Sequence, residues 1–125
     1  MEQIDQVNAI LSVNDLLELQ QKTANVFADD SICDYIVSLA EATRRTDMLT
    51  QGISPRGSIA ILKMAKARAC LEDRDYVIPA DIHKVLYSVC NHRIILSTKA
   101  KAAGMDTADI IDETLNTVSI PKLSH

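Results

Sequence analysis

The chain has 125 residues, of which 47% are hydrophobic and only 3% aromatic, and its formal net charge is −4. This length suits a single domain with an aliphatic core, and the acidic balance argues against broad binding to a nucleic-acid backbone. No apolar run approaches the ~18 residues of a membrane span, and the acidic N-terminus is unlike a signal peptide. We therefore expect neither nucleic-acid binding nor membrane insertion.

The cysteines and histidines give no sign of a metal site. Cys33, Cys70 and Cys90 are an odd number of widely spaced cysteines without a C-x-x-C motif. His83 and His92 are nine residues apart, which does not place them on one helix face at ligand spacing. This pattern favours reduced thiols over metal ligands. We expect a cytoplasmic protein that binds no metal through these residues.

Apolar residues recur at spacings of three and four in five segments, which predicts five helices. The segments are about 13–24, 31–45, 55–72, a run that begins at Pro79, and about 108–118. Residues 46–53 are predicted as a loop, with Gly52 as its most flexible point, and 97–104 as a polar connector. Three glycines and three prolines are too few for a β-sandwich. The predicted fold class is therefore all-α, a small bundle of about five helices.

The same periodicity predicts which side chains face the core. The second helix has an apolar stripe of Ile32, Tyr35, Ile36, Leu39, Ala42 and Thr43. The first helix would bury Val13, Leu16, Leu17 and Ala24, and the last Ile111, Leu115 and Val118. In the third, Ile59, Leu62, Ala65 and Ala69 form a stripe, with Ile61, Met64 and Leu71 beside it, which indicates a helix covered on several sides. One very short two-stranded ladder would pair Val26-Phe27 with Tyr76-Val77.

The start of the third helix carries the most informative local signal. Ser54 suits the N-cap because its hydroxyl can accept a first-turn amide hydrogen, and Pro55 suits the first helical position. Arg56 then falls where the helix dipole disfavours a cation by about 0.3–1 kcal/mol. Two interpretations remain open: Arg56 binds an anion beside a helix end that attracts anions, or it is an exposed arginine that reaches into water.

Other basic residues have sufficient structural explanations. Arg44 and Arg45 fall in the last turn of the second helix, where cations suit the dipole. Lys63, Lys66 and Arg68 would supply the solvated side of the third helix. The alternative function, a stand-alone helical adaptor or DNA-binding module, needs these three residues to form a phosphate-contacting face. A solvated face explains them more simply.

Motifs for catalysis are missing from the sequence. There is no G-x-x-x-x-G-K-[ST] phosphate loop, no G-x-G-x-x-G, no H-E-x-x-H and no G-x-S-x-G elbow. The acidic residues are spread over predicted caps and solvated faces, and no two of them stand out as an acid–base couple. We therefore assign no catalytic residue, and nothing supports an enzyme in its own right.

Several ordered motifs resemble the C-terminal lid of MoxR-type AAA+ ATPases. They are residues 52–62 (GISPRGSIAIL), 73–82 (DRDYVIPADI) and 89–97 (VCNHRIILS), and the similarity extends over about 12–121. The resemblance implies a helical lid domain at 12–121, a lead-in from an upstream AAA+ core at 1–11, and a loose tail at 122–125. It departs from the family pattern where Gly57 replaces an alanine, Asp73 a glycine and Ile78 a threonine that would cap the next helix.

The resemblance also implies a function. Arg56 would be the sensor 2 residue that reaches the phosphates of ATP, with Ser54 and Pro55 as further nucleotide-binding candidates. The intact protein would be an ATPase that uses ATP and Mg²⁺, whereas this stretch alone would bind no cofactor and be inactive. Implied partners are the upstream core domain, neighbouring subunits of a ring, expected to be a hexamer, and a client protein. The family's chaperone-like maturation or activation of other proteins is the implied role.

Overall fold

Helices form most of the structure. It is a computed structural model, and it describes residues 13–93 and 95–122. The described elements, in chain order, are α1 (Val13–Ala24), α2 (Asp30–Arg45), β1 (Leu49–Gln51), α3 (Pro55–Leu71), α4 (Pro79–Arg93), β2 (Ile95–Leu96), α5 (Thr98–Ala102) and α6 (Thr107–Thr117). The predicted all-α class and all five predicted helices are confirmed. The lead-in at 1–11 and most of the predicted tail lie outside the described residues. Within the described ranges, no helix is both long and apolar enough to cross a membrane.

The core is aliphatic, as the composition predicts, and it surrounds α3. This helix packs against α1, α2 and α4, while α6 closes the bundle against α2 and α4. The largest fully buried side chains include Ile32, Leu39, Ile53, Ile61, Ile82, Leu86, Ile110 and Ile111. In α2 the predicted stripe is confirmed at every position except Ala42, which is half-buried. Such burial supplies most of the stability of a small helical domain.

The predicted core face of α3 is confirmed at Ile61, Ala65 and Ala69 and is wrong at Ile59. The buried residues are Gly57, Ile61, Ala65 and Ala69, spaced by four, whereas Ile59 is 57% exposed. Met64 and Leu71 are also exposed. The predicted stripe was too wide, because apolar spacing also included side chains of α3 that no neighbouring helix covers. Three helices pack against α3, as predicted, but its surface at Ile59, Met64 and Leu71 stays exposed.

The prediction that α1 buries an apolar face is also wrong. Val13 is 73% exposed and Leu17 55%, and no residue of α1 is buried. This helix packs along α3 at the edge of the bundle. An amphipathic pattern shows that a helix has an apolar face, but it does not show which surface covers that face.

Short extended segments connect the helices. The predicted pairing of residues 26–27 with 76–77 is confirmed as one parallel bridge: the Phe27 N–H donates to the Asp75 carbonyl at 2.8 Å, and the Val77 N–H donates to the Phe27 carbonyl at 2.9 Å. A second pairing was not predicted. Within the supposed loop 46–53, β1 pairs antiparallel with β2, and Leu49 lies opposite Leu96. The supposed connector 97–104 contains α5, whose Ala100 is fully buried.

The geometry at the end of α3 explains why the resembled family prefers glycine at position 73, where this chain has Asp73. The Asp73 N–H donates to the Cys70 carbonyl at 3.0 Å and the Arg74 N–H to the Ala69 carbonyl at 2.9 Å, a Schellman motif. This motif places its first residue beyond the cap in the left-handed region, and Asp73 has φ +59°. The helix ends as a glycine would end it, with an aspartate in a strained conformation.

Replacing Asp73 by glycine should therefore stabilise the chain. A left-handed backbone costs a residue with a Cβ about 1–2 kcal/mol, and the greater unfolded-state freedom of glycine offsets part of that gain. We expect urea unfolding to show a net increase of about 0.5–1 kcal/mol in the free energy of unfolding. Asp73→Ala removes the same charge but keeps a Cβ, so equal stabilisation by alanine would contradict this explanation.

The start of α4 keeps half of a cap. Ile78 has no side chain that could accept a hydrogen bond, as the sequence indicates. The carboxylate of Asp81 nevertheless accepts the Ile78 N–H at 2.9 Å, which is the returning half of a capping box. The expected loss of the cap is thus only partial, and the capping carboxylate also takes part in a buried ion pair with Arg74.

Candidate functional site

The N-terminus of α3 has the local structure that the sequence predicts. The Ser54 Oγ accepts the Gly57 N–H at 3.1 Å, and the Ser58 N–H donates to the Ser54 carbonyl at 2.9 Å. Pro55 occupies the first helical position and has no N–H to donate. Ser54 and Pro55 therefore build the end of the helix. The backbone N–H of Arg56 is the one amide of this first turn that donates no hydrogen bond to another described residue.

Arg56 is exposed on this first turn. No hydrogen bond or ion pair among the described residues involves its side chain, and the first turn of α3 contains no acidic residue. A guanidinium and the positive end of a helix dipole thus lie together on the surface. This combination favours a bound anion, such as a phosphate group.

Ile53, just before the cap, is held by two consecutive residues at the end of α2. The Thr43 Oγ1 accepts the Ile53 N–H at 2.9 Å and donates to the Ala40 carbonyl at 2.6 Å. The Arg44 Nη1 donates to the Ile53 carbonyl at 2.7 Å. Both backbone groups of Ile53 are therefore bonded to α2, and its side chain is fully buried.

Sequence reasoning missed this pair of contacts. The favourable position of a cation in the last turn of a helix was enough to explain why residue 44 is an arginine. In the structure, however, Arg44 donates to a specific acceptor, the carbonyl of Ile53, nine residues along the chain. The signal in the sequence was that the family resemblance, which extends over about 12–121, includes this end of α2. We use the name α2–α3 clamp for Thr43 and Arg44 together with Gly52 and Ile53.

Gly52 is part of the clamp because its backbone lies directly against α2. A Cβ at this position would lie 2.6 Å from the Thr43 carbonyl oxygen and 2.7 Å from the Thr43 carbonyl carbon. Real Cβ atoms do not approach backbone atoms so closely. The interpretation of Gly52 as the most flexible point of a loop is wrong: the residue is glycine because of a close approach between two backbone segments.

Gly57 has a related but milder constraint. It is buried, and a Cβ there would lie 3.0 Å from the Cγ2 of Ile53. The side chain of Ile53 would have to shift by a few tenths of an ångström to admit an alanine methyl group. The departure from the family's alanine at position 57 has a packing explanation, in addition to its small effect on helix propensity.

The other titratable clusters are structural. Burial opposes ionisation of Asp81, but hydrogen bonds from Arg74 and from the Ile78 amide outweigh it, so the pKa of Asp81 is lowered. Burial lowers the pKa of His83 and raises that of Tyr35, and the two rings lie between α2 and α4 with Tyr35 Oη and His83 Nε2 2.8 Å apart. Both groups therefore favour their neutral forms.

The described residues offer no alternative site with clear chemistry. No group of three or more His, Cys, Asp or Glu side chains there could hold a metal ion, and Cys33 and Cys70 are free thiols. Arg68, one of the three residues that DNA binding would need, is paired with Glu72 at 3.2 Å. Grooves of about 560 Å³ between α2 and α6 and about 640 Å³ between α1 and α3 are not lined by Arg56.

Comparisons with known proteins agree with this arrangement. A family model described as the AAA lid domain matches residues 41–114. The uncharacterized protein YeaC of Bacillus subtilis is 40% identical over 118 residues, covering 94% of this chain and 37% of that protein. Chaperone MoxR1 of Mycobacterium tuberculosis is 36% identical over 128 residues, covering 95% of this chain and 34% of that protein.

A solved structure extends the likeness to three dimensions. A crystal structure from Cytophaga hutchinsonii, of a protein assigned as an ATPase, has a TM-score of 0.79 and 37% sequence identity to this chain. The match covers 87% of this chain and 36% of the other, so the chain spans about a third of the length of these relatives. The matched lid model covers more than half of the chain and includes the clamp and Arg56. The chain therefore belongs to the AAA lid domain family and is a lid of the MoxR type of AAA+ protein.

Proposed function

We propose that this chain acts as the sensor 2 lid of an AAA+ ATPase, and that Arg56 contacts the phosphates of ATP held by a core domain of the same protein. The observation that carries the proposal is the exposed Arg56 guanidinium at the N-terminus of α3, with no partner among the described residues. Its helix end is fastened to α2 through Ile53. The match to the AAA lid family and the likeness to a protein assigned as an ATPase support this role.

The role proposed for this chain is to bind the phosphates of ATP and to sense whether the nucleotide has been hydrolysed. Arg56 would donate charge-assisted hydrogen bonds to phosphate oxygens, and the free amide and dipole of the helix would add to the attraction. Mg²⁺ and the attacking water would be held by the core. Because hydrolysis removes a phosphate from this contact, the lid would be held differently before and after the reaction. A difference in contact free energy between the two states is what allows a ligand to move a domain.

The proposal extends to the setting of the whole protein. By analogy with the relative named chaperone MoxR1, the ATPase would act in chaperone-like maturation or activation of a client protein. It would work as a ring, expected to be a hexamer, in the cytoplasm. The chain's part in this process would be to couple the state of the nucleotide to the position of the lid.

Replacing Arg56 by alanine, in the protein that carries this lid together with its ATPase core, tests the proposal. Loss of a hydrogen bond to a charged group costs about 1.5–3 kcal/mol, so we expect steady-state ATP turnover to fall about 10- to 150-fold. Thermal unfolding should be unchanged, because the side chain has no partner among the described residues. Arg45→Ala is the matched control: among the residues that the structure describes, this arginine pairs with Glu41 alone, at 3.4 Å on an exposed surface. Unchanged turnover in Arg56→Ala would reject the sensor role.

A further inference from the structure

We propose that Arg44 is a positioning residue for Arg56, an inference that rests on the proposed contact between Arg56 and ATP. Arg44 is on the last turn of α2, and its Nη1 donates to the carbonyl of Ile53 at 2.7 Å. This carbonyl belongs to the peptide that joins Ile53 to the cap residue Ser54. Through it, α2 sets the direction in which the chain enters α3.

Few freely rotating backbone bonds lie between the Ile53 carbonyl, which Arg44 holds, and Arg56. The Ile53 N–H is bonded to Thr43, and the Ile53 side chain is fully buried. Ser54 is fixed by its bond to the Gly57 amide, and the ring of Pro55 locks its own φ. A shift of the Ile53 carbonyl would therefore be transmitted to the backbone of Arg56, since no freely rotating residue lies between them.

Arg44 is the member of the clamp whose effect can be separated from stability. The Thr43 hydroxyl is buried, so removing it would leave the Ile53 amide without a partner inside the fold. Arg44 is exposed, so water can replace its guanidinium at the carbonyl. Removing it should loosen the entry to α3 while leaving the core unchanged. The consequence would be a less well positioned Arg56 in a folded lid.

A second explanation must be distinguished, in which Arg44 acts by its own positive charge on the nucleotide. A double-mutant cycle with Arg56 separates the two. If Arg44 works through Arg56, its removal has no effect once Arg56 is alanine. If Arg44 attracts phosphate directly, its removal lowers turnover by the same factor in both backgrounds.

The experiment measures ATP turnover and the KM for ATP in the protein that carries this lid and its core. For Arg44→Met we expect a 3- to 10-fold loss of kcat/KM, which corresponds to one hydrogen bond, and an unchanged urea midpoint. Arg44→Lys should recover activity to within about twofold of wild type, because an ammonium can donate to the same carbonyl. In the Arg56→Ala background, Arg44→Met should change kcat/KM by less than about 1.5-fold, as expected of a fully coupled pair. Arg45→Met is the matched control and should equal wild type.

The outcomes separate this inference from the proposed function. If Arg56→Ala lowers turnover and Arg44→Met does not, the positioning role is wrong and the sensor role stands. An equal loss from Arg44→Met in both backgrounds also overturns the positioning role, in favour of a direct charge effect. If neither single variant changes turnover, the sensor role and the positioning role both fail.

Discussion

Replacing Asp81 by asparagine should destabilise the domain by about 3–5 kcal/mol, the usual cost of removing one member of a buried ion pair. Asp81 is 1% exposed and accepts two hydrogen bonds from Arg74, each of 2.7 Å, as well as the Ile78 amide. An asparagine amide group would direct N–H donors at the guanidinium in place of one oxygen. The mostly buried Arg74 would then lose its counter-charge, although the remaining amide oxygen can still accept the Ile78 N–H.

An exposed ion pair of the same length provides the control for Asp81→Asn. Lys99 and Asp47 are 2.7 Å apart, but both side chains are more than 60% exposed. Exposed pairs contribute about 0–1 kcal/mol, so Asp47→Asn should shift the urea midpoint only slightly. Comparable losses from the two variants would show that burial does not determine the importance of the Asp81 pair.

Acid titration gives Asp81→Asn a second readout. Although burial alone would raise the pKa of Asp81, the bonds from Arg74 and Ile78 lower it overall. A carboxylate whose pKa is lower in the folded state stabilises the fold above its unfolded pKa of about 4 and loses this contribution as the pH falls through the folded value. The stability of wild type and Asp81→Asn should therefore begin to converge as the pH falls below about 4, and should become equal only below the lowered folded pKa of Asp81. A difference that stays constant with pH would show that the lost interaction is not ionic.

Local signals in the sequence were sufficient to predict most helices and the capped helix end that carries Arg56. The cap at Ser54 and the proline at the first helical position both act within one turn, so they are visible in five consecutive letters. The stripe of α2 could be predicted because Ile32, Leu39 and their neighbours are large and regularly spaced. In α3 the same rule selected the buried Ala65 and Ala69 but also the exposed Ile59, because apolar spacing does not show which residues a neighbouring helix covers.

Contacts between distant segments account for what the sequence did not reveal. Arg44 bonds a carbonyl nine residues away, and β1 pairs with a strand more than forty residues along the chain. A residue such as Arg44 satisfies a local rule, the preference of cations for the end of a helix, and this rule hides its second partner. The composition of α1 likewise predicts an apolar face, but only the packing of the whole bundle determines that this face is not buried within the domain.

Gly52→Ala should both destabilise the fold and lower ATP turnover, because the backbone of Gly52 lies directly against Thr43 at the end of α2. A Cβ 2.6 Å from the carbonyl oxygen of Thr43 cannot be accommodated by rotating a side chain, so one of the two backbone segments must move. We expect a loss of about 2–3 kcal/mol in the free energy of unfolding, typical of severe overpacking. In the protein with its core, turnover should fall at least as far as in Arg44→Met, since the same displacement reaches Arg56.

Gly104→Ala provides the contrast for this prediction. Gly104 has φ +74°, but no atom lies within 4 Å of its prospective Cβ. Alanine there should cost only the backbone strain of about 1–2 kcal/mol, with turnover unchanged because α3 is not displaced. Gly52→Ala tests the opposite combination, a close contact without positive φ. If the two variants lost equal stability and both kept full turnover, the close approach of Gly52 to α2 would have no role in presenting Arg56, and the clamp would be a feature of the fold alone.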